Sequence, residues 1–253
     1  MNIPQDFNLA YELNELGQPI GLPVPDWQGV QAPEKITLDG QFCRLEPLNI
    51  DKHARQLFDA NNTEPTNRLW TYLPNGPFRE FNDYVQWLET NALGLNPLFY
   101  AIIDRQSGKA VGVAGYLRIE PQFGSIEVGH ICYSPLLAKT VAATEAMYLM
   151  MKNIFNMGYR RYEWKCNALN FPSRHAAQRL GFSFEGIFRN SNVLKGRNRD
   201  TAWFSITDAE WSALNEVFQQ WLSAENFQAD GTQKTSLSAL TKPLLAALDN
   251  IRQ

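Results

Sequence analysis

The chain has 253 residues, of which 44% are apolar and 19% charged, and its formal net charge is −3. This length is enough to bury a sizeable core, and no apolar run of about 18 residues or N-terminal secretory pattern predicts a membrane span or a leader. The slightly acidic balance argues against a general nucleic-acid binder, because such proteins bind phosphates through excess basic charge.

The three cysteines indicate a reducing environment. Cys43, Cys132 and Cys166 are far apart, show no CxxC spacing and cannot all pair with one another. This usage predicts a cytoplasmic protein without a structural metal.

The predicted elements begin with an extended arm over residues 1–34, which contains five of the 14 prolines and which we expect Trp27 to anchor. From there to about residue 225 the pattern predicts one domain, and residues 226–253 form a tail with a short helix. The elements expected in the first half of the domain are a strand Ile36–Pro47, a helix capped by Asn49, a helix Arg79–Ala92, a hairpin of Leu98–Asp104 with Ala110–Glu120, and a strand Ser125–Ser134.

The second half starts with the strongest helical pattern of the chain, Thr140–Met157, whose polar side includes Glu145. The elements expected after it are a half-buried strand Tyr162–Ala168, a helix Ser173–Leu180, two strands joined around Lys195–Asn198, and a helix from Ala209 to about Ser223 capped by Asp208. This order predicts a mixed α/β fold around one sheet, with at least one β-α-β crossover.

Charge is unevenly distributed. Between Arg160 and Arg199 there are nine basic and two acidic residues, so this block carries +7 and the remainder −10. A positive region in an acidic protein favours a small polyanionic ligand. The alternatives are a solvated surface and a contact with RNA.

An anion site is expected where the strand ending at Tyr133 leads through a loop to the helix near Val141. Free N–H groups and the positive end of the helix dipole meet at such a junction.

The sequence around this junction resembles the GNAT acyltransferases, in particular their RimJ/RimL-like branch. The resemblance covers roughly Ile36–Trp221. The motifs that carry it are SPLLAKTVAATEA from Ser134, the Asn170…Ser173…Leu180-Gly181-Phe182…Glu185-Gly186 spacing, and the Asp200…Trp211 ending.

The resemblance implies a GNAT fold, with a mostly antiparallel sheet that splays at the cofactor-binding strands, and acetyl-CoA as co-substrate without a metal. It places the pantetheine between strands Ile126–Tyr133 and Tyr162–Ala168, with Asn170 and Ser173 nearby. It assigns the pyrophosphate to the loop and first helical turn, namely Leu137, Ala138, Lys139, Thr140, Val141, Ala142 and Ala143.

The loop departs from the family pattern Arg/Gln-x-x-Gly-x-Gly/Ala. Ala138 and Val141 replace the first residue and the middle glycine, although glycine lets a backbone approach a phosphate closely. Lys139 and the Thr140 hydroxyl are the expected partial substitutes.

A general base is required, because an amine of pKa near ~10.4 is almost wholly protonated at pH 7. Glu127 is the candidate, similar to the strand glutamate of related enzymes; the alternative is a plain surface carboxylate. His130 is expected on one face with Ile126, Val128 and Cys132, as a core histidine rather than a base. Cys132 and Cys166 are expected to be core thiols.

Many family members carry a tyrosine that protonates the leaving thiolate, but Ala177 stands at that position here. Ser173 is the remaining candidate for this acid.

The acceptor pocket is expected in the most aromatic stretch of the chain, between the first two helices. Trp70 and Tyr72 are the candidates to line it, against the alternative that these rings belong to the core.

The sequence thus predicts an N-acetyltransferase that acts on a primary amine, either a small molecule or a peptide N-terminus, by direct attack in a ternary complex. The alternative is a catalytically silent GNAT-like module that binds CoA or another protein. A homodimer is compatible with both readings.

Overall fold

The computed structural model describes residues 10–246 and Asp249. A sheet of eight strands forms its centre, and a two-stranded hairpin lies in the arm. The strands are β1 (Tyr11–Leu13), β2 (Pro19–Gly21), β3 (Leu38–Asp39), β4 (Cys43–Pro47), β5 (Leu98–Asp104), β6 (Ala110–Glu120), β7 (Ser125–Tyr133), β8 (Arg161–Asn167), β9 (Ser183–Leu194) and β10 (Arg197–Thr207).

The helices of the described residues lie on both faces of the large sheet. They are α1 (Ile50–Asn61), α2 (Phe81–Asn91), α3 (Val141–Asn156), α4 (Phe171–Arg179), α5 (Asp208–Leu222) and α6 (Leu237–Thr241), with 3₁₀ segments at Arg68–Trp70, Ala224–Asn226 and Lys242–Leu244. No helix in this part of the chain is both long and apolar enough to cross a bilayer.

The sheet has the order β3-β4-β5-β6-β7-β8-β10-β9. All neighbours are antiparallel except β7 and β8, which are parallel and are connected through α3. The predicted mixed α/β fold and its crossover are confirmed.

Helix caps follow the sequence closely, with one correction. The Asn49 side chain accepts from the Lys52 N–H at the start of α1, and Thr140 accepts from the Ala143 N–H at the start of α3. Helix α5 includes Asp208 and is capped by Thr207 instead, because Glu210 accepts the Thr207 N–H at 2.7 Å and completes a capping box.

The predicted strand Ile36–Pro47 is divided by a turn, and Glu145 of α3 explains the division. Glu145 is buried rather than on a polar side, and its carboxylate accepts the N–H groups of Gln41, Phe42 and Cys43 at 2.7, 2.6 and 2.8 Å. A Cβ on Gly40 would lie 2.5 Å from a Glu145 carboxylate oxygen, so only glycine fits there.

The core has two layers, one on each face of the sheet. Helices α3, α4 and α5 pack on one face with residues such as Ile126 and Val128, whereas α1 and α2 pack on the other with Phe99 and Val113.

The arm and the tail are both tied to this domain. The Trp27 indole N–H donates to the Gln122 carbonyl at 2.9 Å, as expected for an anchor; residues 1–9 of the arm lie outside the described residues. We call residues 233–246 and Asp249 the C-terminal strap. Its α6 is docked, since the Leu237 side chain is completely buried.

Candidate functional site

Strands β7 and β8 separate midway along their length. The parallel pairing runs from Ser125 with Arg161 to Val128 with Trp164, and it stops there although both strands continue. The separation opens a slot between Gly129–Tyr133 and Lys165–Asn167. The expected splay of the sheet is confirmed.

A β-bulge at His130 changes which face the end of β7 presents. Two residues of β7 lie between the pairs Gly115–Gly129 and Val113–Cys132, against one residue of β6, and His130 has a left-handed φ of 50°. His130 therefore leaves the face of Ile126 and Val128, and its ring packs against Phe99 at 4.9 Å on the α1/α2 face.

The prediction that His130 shares a face with Ile126 and Val128 is wrong for this reason. It lines a cavity of about 10 Å³, space for about one water, together with Trp70, Leu73, Asn75, Tyr84, Trp87, Val113 and Cys132. Burial, with a smaller contribution from the Arg118 charge, lowers the pKa of His130, so the ring is neutral at pH 7.

Glu127 lies two residues before Gly129, where the separation begins. Its side chain is 4% exposed and bonds to two cations, Arg118 Nη1 at 2.6 Å and Lys165 Nζ at 3.0 Å. It is thus neither isolated nor the surface carboxylate considered as the alternative.

The electrostatics distinguish Glu127 from its neighbour Glu163, which stands beside it on β8 and also bonds Lys165, at 2.6 Å. Burial raises the pKa of Glu127, and the charges of Lys165 and Arg118 only partly oppose it. Burial also tends to raise the pKa of Glu163, but hydrogen bonds from Lys165 and Arg161 outweigh this effect, so the pKa of Glu163 is lowered. Pairs of acids with pKa values pushed apart are typical of acid–base sites.

The loop between β7 and α3 leads into a helix N-terminus, as expected, but its residues differ in burial and in hydrogen bonding. The Leu137 side chain is buried in the core, and Thr140 uses its hydroxyl to cap the helix. Lys139 has a left-handed φ of 66°, a conformation usually left to glycine. The backbone therefore turns at Lys139, and not at Val141 where the family pattern has its glycine.

A cavity of about 830 Å³ opens beside this loop. Pockets of this size hold ligands as large as a nucleotide. Three elements contribute to its lining: Lys139, Thr140, Ala143 and Thr144 at the start of α3; Pro172, His175, Ala176, Gln178, Arg179 and Leu180 on α4; and Gln233, Ser238, Lys242, Leu245 and Asp249 of the C-terminal strap.

The two candidates at the start of α4 have local hydrogen-bonding roles. The Asn170 side chain caps α4 by accepting the Ser173 N–H at 3.3 Å, and the Ser173 hydroxyl oxygen accepts the Trp164 indole N–H at 3.1 Å. Because Ser173 is the acceptor in that bond, its hydroxyl hydrogen can still be donated to another group. Neither residue lines the cavity of 830 Å³.

The aromatic segment divides into core and surface. Trp70 is 5% exposed and packs edge-on against Phe78 at 5.2 Å, which is the core placement considered as the alternative. Tyr72 is half-buried, and its hydroxyl donates to the Leu169 carbonyl in the loop before α4 at 3.0 Å. Of the two, Trp70 lines the small cavity beside His130, and Tyr72 lies nearer the surface.

The turn between β9 and β10 reaches the same segment. Lys195 Nζ donates to the carbonyls of Trp70 at 2.8 Å and Asn75 at 3.2 Å. Residues 70–75 are therefore held from two sides, by Lys195 and by the loop before α4.

We expect Tyr72→Phe to raise the KM for the acceptor about fivefold and to leave the KM for acetyl-CoA within about twofold, because one hydrogen bond contributes about 1 kcal/mol. Tyr11→Phe is the matched control, since Tyr11 is exposed in the arm. Equal changes in both KM values would assign the Tyr72 bond a general structural role.

The basic block is neutralised in part. Four of its nine basic residues form ion pairs: Arg160 with Asp208, Arg161 with Glu163 and Glu185, Lys165 with Glu127 and Glu163, and Arg174 with Asp249. Arg189, Lys195 and Arg197 are exposed and absent from these pairs. Arg179 lines the large cavity and is also absent from them.

The thiols behave as expected for core residues. All three cysteines are buried and free, and burial raises the pKa of Cys132 to about 12. Residues 10–246 and Asp249 contain no group of three or more His, Cys, Asp or Glu side chains that could hold a metal ion.

Comparison with known proteins supports the geometry. The family model of the acetyltransferase (GNAT) domain matches residues 43–183. A GCN5-related N-acetyltransferase from Brucella melitensis is 45% identical with a TM-score of 0.85, and the match covers 87% of this chain and all of that one. A probable GNAT-family acetyltransferase from Chromobacterium violaceum is 36% identical with a TM-score of 0.72, over 78% of this chain and 98% of that one.

A curated relative extends the comparison at lower similarity. The uncharacterized N-acetyltransferase p20 of Bacillus licheniformis is 24% identical over 177 residues, which are 66% of this chain and 99% of the relative.

Proposed function

The chain belongs to the GNAT acetyltransferase family, and from this we propose that it transfers an acetyl group from acetyl-CoA to a primary amine by direct attack within a ternary complex. The observation that carries the proposal is the separation of β7 from β8, with the buried carboxylate of Glu127 on the paired part of β7 and a large cavity beside the loop that follows β7.

The residues present fit acetyl-CoA. The slot suits the extended pantetheine arm, and the cavity beside α3 is large enough for the nucleotide. Lys139 and Arg179 line that cavity and supply positive charge for phosphates, at the N-terminal end of a helix whose dipole also favours anions. The left-handed backbone at Lys139 provides a turn in this loop without the family's middle glycine.

Glu127 is proposed as the general base. It takes a proton from the substrate ammonium, directly or through one water, and the freed amine nitrogen attacks the thioester carbonyl carbon. A C–N bond then forms, the C–S bond breaks, and the departing thiolate takes up a proton. Ser173 is the proposed donor of that proton, through the hydroxyl hydrogen that the bond from Trp164 leaves available. The second proton, which the nitrogen loses as the amide forms, then restores the Ser173 hydroxyl.

The acceptor is proposed to enter on the α1/α2 face of the sheet. Tyr72 lies at this face beside the loop before α4, and Lys195 closes the segment from the opposite side. A small amine or a peptide N-terminus fits this entrance. Trp70 supports the entrance from within the core instead of lining it.

One observation favours the rival function, a silent module: the loop lacks both the Arg/Gln and the middle glycine of the family pattern. Binding of acetyl-CoA separates the two. At a hundred times its dissociation constant, a ligand stabilises a protein by about 2.7 kcal/mol, so the melting temperature should rise clearly on addition of acetyl-CoA. Formation of free thiol with an amine present then distinguishes an enzyme from a binding module.

Ala143→Glu is expected to weaken acetyl-CoA binding at least tenfold, because a carboxylate on this first-turn residue would face the phosphates. Asn156→Glu adds the same charge at the opposite, exposed end of α3 and should bind normally. Isothermal titration measures both. An unchanged affinity for Ala143→Glu would mean that the phosphates bind elsewhere.

A further inference from the structure

The wall of the large cavity that faces α3 and α4 is built by the C-terminal strap, which lies outside the matched family domain of residues 43–183. Its contacts with that domain are specific. The hydroxyl of Thr241 in the strap donates to the Arg179 carbonyl at 3.1 Å, and the Ala246 N–H donates to the Ser183 hydroxyl at 2.8 Å.

A buried ion pair fixes the far end of the strap. Arg174 of α4 donates from Nε to an Asp249 carboxylate oxygen at 2.6 Å, and its Nη1 donates to the Ala168 carbonyl at 2.7 Å. The exposed fractions of the two side chains are 9% and 2%. A buried pair of this kind requires the partners to be held in one geometry, so the strap is a fixed part of the cavity.

The charges around the cavity favour an anion. Lys139 stands on the loop before α3, Arg179 on α4 and Lys242 on the strap, so the cations come from three sides. The acid in the lining, Asp249, is already paired with Arg174. The buried Gln178 Nε2 adds an amide donor that has no hydrogen-bond partner in the described residues.

We propose that the C-terminal strap completes the nucleotide end of the acetyl-CoA site, and that Lys242 contacts a phosphate there. This rests on the proposed function. Lys242 supplies from the strap a positive charge that position 138 lacks, since Ala138 stands where the family pattern has Arg or Gln. The strap then favours ligands that carry phosphate groups at the nucleotide end, as CoA thioesters do.

The test compares Lys242→Ala with Lys234→Ala by isothermal titration. Both lysines are exposed, but Lys234 is not among the residues that line the cavity. The two probes are CoA and adenosine 3′,5′-bisphosphate, which carries phosphates without the pantetheine arm. We expect Lys242→Ala to weaken both probes about tenfold, as for loss of one charge-assisted contact, and Lys234→Ala to stay within twofold.

Lys242→Arg tests whether charge, and not the shape of the strap, is responsible. It should bind both probes within about threefold of the wild type, and its melting temperature without ligand should match that of Lys242→Ala. Wild-type affinity in Lys242→Ala would overturn the role of the strap while leaving the proposed function intact. Absence of CoA binding by the wild type would overturn both.

Discussion

Replacing Glu127 with glutamine is expected to lower kcat at pH 7 by about 10²–10⁴-fold, the usual contribution of a general base, with acetyl-CoA affinity nearly unchanged. Glutamine keeps the size and the hydrogen-bonding oxygen, but it cannot take a proton from the substrate ammonium. The slot and the cavity are formed by other residues, so binding measured by titration should not follow the loss in rate.

The pH profile tests the same role. A base acts when ionised, and burial raises the pKa of Glu127 above its ordinary value. The wild-type rate should therefore fall on the acid side, as pH drops through that raised pKa. The defect of Glu127→Gln should shrink as pH approaches the pKa of the amine, near ~10.4, because neutral amine then needs no base.

Glu163→Gln is the matched control. Glu163 is half-buried on the neighbouring strand and shares Lys165 with Glu127, so it also balances the charge of that lysine. If Glu127 only neutralised Lys165, the two variants would lose similar activity and stability. A Glu127→Gln enzyme with full activity at pH 7 would exclude it as the base, and an equal loss at every pH would indicate a structural role.

Glu145→Ala is expected to destabilise the protein by about 3–4 kcal/mol, because three backbone N–H groups lose a charged acceptor. The turn between β3 and β4 would have to find other partners for these groups or leave them unsatisfied. For a chain of this size, the change corresponds to a melting temperature about 10 °C lower. Urea unfolding followed by tryptophan fluorescence gives the free energy directly.

Glu145→Gln separates charge from shape. It keeps one acceptor oxygen in place and should lose less than half as much stability as Glu145→Ala. Glu89→Ala provides a surface reference, since Glu89 is exposed on α2. A Glu145→Ala variant that unfolds like this reference would show that the turn does not depend on the carboxylate.

Local patterns in the sequence predicted most of the fold. Caps such as Asn49 and Thr140 act through neighbouring residues, so their chemistry is readable from a short window. The alternation of β8 likewise holds over its whole length, with every second residue buried. The family resemblance is also confirmed, and it rests on the loop and helix that carry these local signals.

The errors have a common physical origin, which is contact between distant parts of the chain. Alternation assigns His130 to the wrong face because a bulge depends on the register of β6 against β7. The buried role of Glu145 depends on a turn about a hundred residues earlier.

Part of the site also lay beyond sequence reasoning. Lys165 is on the predicted face of β8, so alternation could have suggested it, but its pairing with Glu127 requires the parallel register. No local pattern in the sequence indicated that the strap lies beside α3 and α4.

The separation of β7 from β8 has a further consequence for the sheet as a whole. Each strand is still paired on its other side, with β6 and with β10, so the gap creates two internal edges in the middle of an otherwise continuous sheet. Sheet edges expose peptide groups that can add another extended chain. A ligand that carries amide groups along a flexible arm can therefore bind as a short additional strand, and the protein would regain there the backbone pairing that its own sequence interrupts.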